Sequence, residues 1–118
     1  IAKTDTKDDV CWLSKKLVNL RIFNDSDNMM NISLKDSDGS AIVVSQFTLH
    51  AKIKKGNRPS YVKAANSDIA KSLYEHFINQ FEIDLEKKIQ SGKFGANMKL
   101  ALTNDGPVTI IIDTKQRE

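Results

Sequence analysis

The chain has 118 residues, of which 40% are hydrophobic and 28% are charged, and its net charge is +3. This length supports one hydrophobic core, so we expect a single domain over residues 1–118. No apolar run is long enough to cross a membrane, and the single Cys11 cannot form an internal disulfide, which favours a reducing, cytoplasmic location.

The first half of the chain predicts one helix and two strands. Residues 6–22 are predicted to form a helix that Thr4, Asp5 or Thr6 caps. Its apolar stripe at helical spacing consists of Val10, Leu13, Leu17 and Leu20. After a loop at 24–28, residues 29–34 are predicted to form a short strand. A turn at Asp38-Gly39 leads to a strand over residues 41–49, which is mostly apolar and rich in β-branched side chains.

The second half predicts another helix and three more strands. A loop over residues 51–62 precedes the helix, which begins between residues 66 and 68. Its predicted core stripe is Ile69, Leu73, Phe77 and Phe81. The strands are predicted at 86–90, 97–104 and 108–114. The last of them is apolar on both faces, so a partner subunit could cover one face.

The predicted elements give an α+β fold in which two helices pack against a sheet. We expect that sheet to be mainly antiparallel and curled into a barrel-like shape.

The sequence lacks the usual catalytic sets. One Cys and two His cannot form a zinc cluster, and there is no glycine-rich phosphate loop or Gly-x-Ser-x-Gly motif. The polar residues Ser45, Gln46 and Thr48 instead interrupt an apolar strand, where polar groups need partners. Alternation places Gln46 and Thr48 on one face. These residues either satisfy each other or form a site without an ionisable centre, in which backbone N–H groups hold an oxyanion.

A cluster of cations follows this strand. Five of them lie within twelve residues that contain no acid, namely Lys52, Lys54, Lys55, Arg58 and Lys63. Such a cluster is either a solvated loop or a contact for a phosphate backbone. The sequence alone favours neither alternative.

Five segments together resemble the D-aminoacyl-tRNA deacylase family, also called D-tyrosyl-tRNA deacylase. They are Ser45-Gln46-Phe47-Thr48-Leu49, Asn104-Asp105-Gly106-Pro107-Val108-Thr109, Asn19-Leu20-Arg21-Ile22-Phe23, Lys55-Gly56-Asn57-Arg58-Pro59-Ser60-Tyr61 and Gly92-Lys93-Phe94-Gly95-Ala96-Asn97-Met98. The similarity runs in the family's order from about Asp8 to Asp113. Members of the family normally carry further strands before the first helix, so the resemblance implies that this sequence lacks those strands.

The resemblance implies a homodimer that hydrolyses the ester of D-aminoacyl-tRNA and of glycyl-tRNA, without cofactor or metal and with no membrane or DNA partner. The Gly106-Pro107 bond would be cis, and its carbonyls would exclude L-amino acids from the neighbouring subunit's site. The implied catalytic residues are Gln46, Phe47 and Thr48. The implied substrate-binding residues are Ser45, Phe94, Met98, Asn104, Gly106, Pro107 and Thr109, and the expected RNA contacts are Lys54, Lys55 and Arg58.

Two mechanisms remain open for such a protein. Thr48 is the nucleophile in one, whereas backbone amides near Gln46 to Thr48 and the 2′-hydroxyl of the RNA act in the other. The second is favoured because Thr48 has no base nearby in the sequence. The alternatives from other classes are a tRNA-binding module without hydrolytic activity and a purely structural dimerising domain.

Overall fold

A computed structural model describes every residue from Ile1 to Glu118. The elements in chain order are α1 (Lys7–Asn19), β1 (Phe23–Asn24), β2 (Met30–Ile32), β3 (Ile42–Val43), a 3-10 turn (Phe47–His50), α2 (Ser67–Leu85) and β4 (Gln90–Ser91). The strand pair β1 and β2 is antiparallel, and the pair β3 and β4 is parallel. The predicted α+β class is confirmed. Neither helix combines the length and the apolar character that a membrane span requires.

Both helices begin at the caps that the sequence predicted. At the start of α1, Asp9 Oδ2 accepts a hydrogen bond from the backbone N–H of Thr6 at 2.8 Å and another from its hydroxyl at 2.9 Å. At the start of α2, Asn66 Oδ1 accepts from the N–H of Ile69 at 3.0 Å. Each cap satisfies a backbone donor that has no partner inside its helix.

The hydrophobic core lies where the two helices meet the chain between β2 and β3. Its buried cluster contains Val18, Leu34, Phe81 and Leu85, and Phe77 packs against it. The predicted stripe of α2 is confirmed for Leu73 and Phe81, which are buried, but it is wrong for Ile69, whose exposed fraction is 48%.

A polar contact also joins the helices inside this core. Ser14 of α1 is fully buried, and its hydroxyl donates to Asp84 Oδ2 of α2 at 2.6 Å. The amide of Gln80 donates to the other carboxylate oxygen of Asp84 at 3.1 Å. Ser14 was not among the predicted core residues, because a helical stripe of apolar residues does not include a small hydroxyl whose partner is distant in the sequence.

The predicted barrel-like, mainly antiparallel sheet is not formed. Residues 97–112 contain no strand and make no backbone hydrogen bonds, so the predictions of strands at 97–104 and 108–114 are wrong. The reason is that a strand requires a hydrogen-bonded neighbour, and no segment of this chain pairs with them. The strand predicted at 86–90 is reduced to β4, whereas the one predicted at 29–34 is confirmed as β2.

The strand predicted over residues 41–49 is much shorter than expected. Only Ile42 and Val43 pair with β4, and the chain then enters the 3-10 turn at Phe47. A local side-chain contact accompanies this turn, since the Gln46 amide donates to the Thr48 hydroxyl at 2.6 Å. Polar side chains that bond locally compete with strand pairing. The predicted alternation of faces therefore does not apply to Gln46 and Thr48.

Candidate active site

A pocket of about 610 Å³ lies beside the end of β3 and the start of α2. It brings together Ser45, Gln46 and Phe47 with Phe94 and Met98, which are five of the predicted site residues. The remaining lining residues are Val44, Ala65, Ser67, Ala70, Gly95, Ala96, Asn97 and Leu100. None of the lining side chains is ionisable. An adjoining cavity of about 260 Å³ shares Ser45, Gln46, Phe47 and Phe94 with this pocket and is also lined by Asp5 and Asp9.

Two of the three predicted catalytic residues, Gln46 and Phe47, line this pocket where the 3-10 turn begins, and they form its rim. Thr48 does not line the pocket, but its hydroxyl accepts the short hydrogen bond from Gln46. No ionisable side chain is hydrogen-bonded to the Thr48 hydroxyl. Phe47 is held from the side by Tyr61, whose ring meets it edge-on with centroids 4.9 Å apart. The rim thus presents hydroxyl, amide and main-chain groups rather than an acid or a base.

Tyr74 of α2 positions the part of the wall that contains Phe94. Its hydroxyl lies between two main-chain carbonyls and donates toward Val43 at 3.0 Å and Gly92 at 2.7 Å. Its ring also contacts Phe94, with centroids 5.8 Å apart. Burial raises the pKa of Tyr74, so this hydroxyl remains a donor at neutral pH. The tyrosine therefore holds the ends of β3 and β4 together where Phe94 enters the pocket.

Gly92 allows Met98 to pack closely against this wall. A Cβ at Gly92 would lie 2.7 Å from Met98 Sδ, so a larger residue would displace the thioether from its place. Met98 is only about one-third exposed, although the chain after it is open to solvent. Met98 was predicted from the sequence, whereas Gly92 and Tyr74, which position this part of the pocket, were not.

The start of α2 forms a third side of the pocket, which the sequence analysis missed. Ser67 and Ala70 line it from the first turn of the helix, next to Ala65. The N-terminus of a helix carries partial positive charge, which favours anionic or electron-rich groups nearby. The predicted cap at Asn66 was the available signal, but it gave no indication of which loop the helix would face.

The remaining predicted substrate-binding residues lie away from the pocket of their own chain. Asn104, Gly106, Pro107 and Thr109 are all exposed and do not line it. The Gly106-Pro107 peptide bond is cis, the isomer that the resemblance implies, and the φ angle of Gly106 is 128°. Val108, Ile110 and Ile111 beside this turn are also exposed. The pocket and the glycine-proline turn are thus two separate surfaces of one chain.

The basic loop is a closed structure with its cations pointing to solvent. Backbone hydrogen bonds of 2.8 and 3.1 Å between Lys52 and Ser60 join its two ends. Lys54, Lys55 and Arg58 lie between these ends, are exposed, and form no ion pair with any carboxylate. The turn at its tip is made by Gly56, whose φ angle is 72°. The loop therefore holds three uncompensated positive charges beside the 3-10 turn.

Sequence comparison identifies the class of protein to which this site belongs. The family model described as "D-Tyr-tRNA(Tyr) deacylase" matches residues 1–113. The chain belongs to this family, and the resemblance that the five segments indicated is confirmed. The family is one of enzymes, as its description states.

Individual relatives agree with the family model. A protein named "D-aminoacyl-tRNA deacylase" from Flavobacterium psychrophilum is 58% identical over all 118 residues, which cover 79% of that protein. A protein with the same name from Bacteroides fragilis is 55% identical, again with 100% of this chain and 79% of the relative covered.

Two solved structures share the fold. One, a "c-Myc DNA Unwinding Element Binding Protein", is 36% identical, has a TM-score of 0.84, and matches 93% of this chain and 74% of its own. The other, described as a "probable eukaryotic D-amino acid tRNA deacylase", is 18% identical with a TM-score of 0.75. It covers 86% of this chain and 72% of its own, and it bears on the fold alone.

Proposed function

We propose that this chain hydrolyses the ester bond of D-aminoacyl-tRNA and releases the free D-amino acid and the tRNA. The observation that carries this proposal is the pocket at Ser45 to Phe47, which the family's motifs form and which contains no ionisable side chain. A pocket without an acid, base or metal ligand suits an activated ester, whose hydrolysis needs orientation and stabilisation of an oxyanion more than it needs a strong nucleophile.

The geometry of the rim favours catalysis by main-chain groups. Backbone N–H groups in the first turn of a helix have no partner inside that helix. In the 3-10 turn these are the amides of Phe47 and Thr48, and we assign them to the oxyanion that forms as water attacks the ester carbonyl. The pocket places no ionisable side chain beside the ester. We assign that position to the 2′-hydroxyl of the terminal adenosine.

A threonine nucleophile fits this rim less well. The Thr48 hydroxyl would need a base to accept its proton during attack. Its observed partner is the Gln46 amide, which is a donor and cannot take a proton. We therefore assign Thr48 and Gln46 to shaping the rim, and Phe94 and Met98 to contacts with the terminal adenosine, whose flat base suits an apolar wall containing an aromatic ring.

The chiral filter is assigned to a homodimer. Because Gly106 and Pro107 lie outside the pocket of their own chain, they would act in the pocket of a second copy, with Asn104 and Thr109 beside them. The main-chain carbonyls of Gly106 and Pro107 would then occupy the space that the side chain of an L-amino acid needs. Glycine has no side chain to exclude, so we also assign glycyl-tRNA as a substrate.

The rest of the tRNA is assigned to the basic loop. Lys54, Lys55 and Arg58 have no carboxylate partners, so their charge is available to the phosphates next to the acceptor end. We place this reaction in the cytoplasm, where aminoacyl-tRNA is used. We expect no preference for DNA, although one similar structure is named for DNA binding.

The direct test compares hydrolysis of D-tyrosyl-tRNA and L-tyrosyl-tRNA by the purified chain. We expect faster release of the D-amino acid, and near-normal turnover for Thr48→Ala. Equal rates for the two enantiomers would contradict the chiral filter, and loss of activity in Thr48→Ala would favour the threonine nucleophile. Binding of tRNA with the ester left intact would support the non-catalytic binding module instead, and competition by DNA would contradict the assignment of the basic loop.

The filter itself is tested by Gly106→Ala. An added Cβ would lie 3.1 Å from the Val108 backbone nitrogen, and the φ angle of 128° is one that L-residues rarely adopt. We expect the preference for the D-ester to fall by about tenfold or more, since a displaced filter no longer separates the enantiomers. Gly56→Ala is the control, because Gly56 also has positive φ but meets nothing within 4 Å.

A further inference from the structure

The segment of residues 97–112, which carries the Gly106-Pro107 turn, meets the rest of the chain near its two ends, where Met98 and Leu100 line one pocket and residues 110–112 line another beside Trp12 of α1. It has no backbone hydrogen bonds, and no polar side-chain contact reaches it from the rest of the chain. On its N-terminal side, Phe94 and Gly92 are tied to Tyr74. Where the Gly106-Pro107 turn lies relative to the chain therefore depends on what fixes the other end.

The C-terminal end is fixed by one buried carboxylate of α1. Lys115 Nζ donates to Asp9 Oδ2 at 2.6 Å, and a guanidinium nitrogen of Arg117 lies 3.5 Å from Asp9 Oδ1. The side chain of Asp9 is only 8% exposed. Lys115 and Arg117 lie 106 and 108 positions after Asp9 in the sequence, so these contacts join residues near the two ends of the chain.

A local turn directs both cations toward α1. The Lys115 N–H donates to Asp113 Oδ1 at 2.8 Å, and the Arg117 Nε donates to the Thr114 carbonyl at 2.8 Å. The guanidinium of Arg117 also lies over the ring of Trp12, 4.3 Å from its centroid. Residues 113–117 thus have an internal geometry that brings a lysine, an arginine and an aromatic contact to one end of α1.

We propose that Asp9 is a positioning residue of the deacylase, which acts through Lys115 and Arg117 to hold the Gly106-Pro107 turn in place. This inference rests on the proposed function of that turn. A charge-assisted contact to a buried carboxylate is stronger than one at the surface, and two cations on one carboxylate restrict rotation of the end of the segment. Release of this end would leave residues 97–112 attached to the chain at one end only, with many more conformations available.

The test compares three variants with the unaltered protein. Lys115→Gln removes the contact to Asp9, Lys115→Arg keeps a cation there, and Lys88→Gln is the control, since it removes a 2.8 Å ion pair with Glu82 far from this segment. The measured quantity is the ratio of kcat/KM for D-tyrosyl-tRNA to that for L-tyrosyl-tRNA. Because both esters are carried by the same tRNA, a general change in tRNA binding cancels from this ratio.

A second readout does not depend on activity. Trp12 is the only tryptophan of the chain and lies beneath Arg117, so quenching of its fluorescence by acrylamide reports whether the C-terminal end is attached. For Lys115→Gln we expect the D to L ratio to fall about tenfold and the quenching of Trp12 to increase. Lys115→Arg should restore both quantities, and Lys88→Gln should change neither.

Several results would overturn the proposal. They are an unchanged ratio in Lys115→Gln, an equal fall in the Lys88→Gln control, or no restoration by arginine. A fall of both rates with a constant ratio would also overturn it, because that result indicates only a structural role. If Lys115→Gln does not fold, Arg117→Gln replaces it, with a smaller fall of the ratio expected and an unchanged ratio counting against Asp9. Failure of the filter itself is distinguishable, since Gly106→Ala would then leave the ratio unchanged.

Discussion

The two helices bury their apolar side chains and pair their buried polar groups, whereas the segment at 97–112 does neither to the same extent. Between the helices, apolar side chains are buried and every buried side-chain polar atom has a hydrogen-bond partner. In the segment, large apolar side chains lie in solvent, with Leu102 69% and Ile111 93% exposed, and the backbone has no internal partner. The side chains between the helices are therefore covered by the chain itself. The segment instead exposes large apolar side chains of the kind that are usually buried.

Under the proposed function, this difference assigns folding stability to the helical part and substrate selectivity to the segment. The helical part builds the pocket through the 3-10 turn, Tyr74 and the start of α2. The segment contributes the Gly106-Pro107 turn, which no contact brings to that pocket. Substitutions in the helical part should act mainly on folding, and those in the segment on assembly and on discrimination between substrates.

The largest effect is expected from Phe81→Ala in the core. Phe81 is 3% exposed and stacks on Phe77, so its truncation leaves a cavity and should lower the free energy of unfolding by about 3–5 kcal/mol. Urea unfolding followed by circular dichroism measures this change. Ile69→Ala on the same helix is the control and should cost less than about 1 kcal/mol. Equal losses at the two positions would contradict the assigned core.

The next effect is expected from Ile111→Asp in the segment. If a second copy covers this face, a carboxylate there must lose its water on association, so the dimer should weaken by about a hundredfold. Analytical ultracentrifugation over a range of concentrations measures the dissociation constant. The control is Ile83→Asp, since Ile83 is a 67% exposed isoleucine of α2. A dimer that loses as much affinity in the control would mean that the interface lies elsewhere.

A smaller effect is expected from Tyr74→Phe, which tests where the two regions join. The substitution keeps the ring against Phe94 but removes the donor to the carbonyls of Val43 and Gly92. We expect a loss of about 1 kcal/mol in the free energy of unfolding and faster amide exchange at Gly92. Exchange at Gly92 that stays at the rate of the unaltered protein would show that the hydroxyl does not hold this strand end.

The smallest effect near neutral pH is expected from a change of pH itself. The hydrogen bond from Lys115, the largest cause, holds the pKa of Asp9 far below its ordinary value. A carboxyl whose pKa is lowered on folding contributes stability above its unfolded pKa of about 4, and this contribution is lost as the pH falls below that value. Between pH 8 and pH 5 we therefore expect no change from this group.

Acid unfolding of Asp9→Asn checks this expectation. The amide cannot titrate, so the midpoint temperature of the variant should fall less steeply than that of the unaltered protein below about pH 4. Parallel curves over this range would show that the pKa of Asp9 is the same in the folded and the unfolded protein, which would also remove the basis for its contact with Lys115.

The parts of the fold that the sequence predicted well are those specified by local interactions. Thr6 begins α1 with its N–H and hydroxyl bonded to Asp9, and the side chain of Asn66 caps α2, so both helix starts could be located. The polar residues at 45–48 were predicted to form a site because polar side chains are costly in an apolar strand. Their geometry was predicted wrongly, since the Gln46 contact to Thr48 forms a turn that alternation does not describe.

The parts that could not be predicted depend on distant partners. The alternating pattern at Met98, Leu100 and Leu102 indicates that one face of this segment should be buried. It does not identify the strand or the chain against which that face packs. In the same way, nothing near Asp9 in the sequence indicates Lys115, and nothing near Ser14 indicates Asp84. Long-range pairs of this kind leave no periodic signal in one sequence.

The hydroxyl of Ser14 has a consequence for how the whole molecule moves. Because it is fully buried and bonded to Asp84, a sliding of α1 along α2 by one helical turn would leave this buried hydroxyl without its hydrogen-bond partner. We therefore expect the two helices to move together as one rigid body during any opening of the pocket. Motions that admit a substrate must then arise in the loops, and relaxation measurements on helical amides should find little exchange on the microsecond to millisecond timescale.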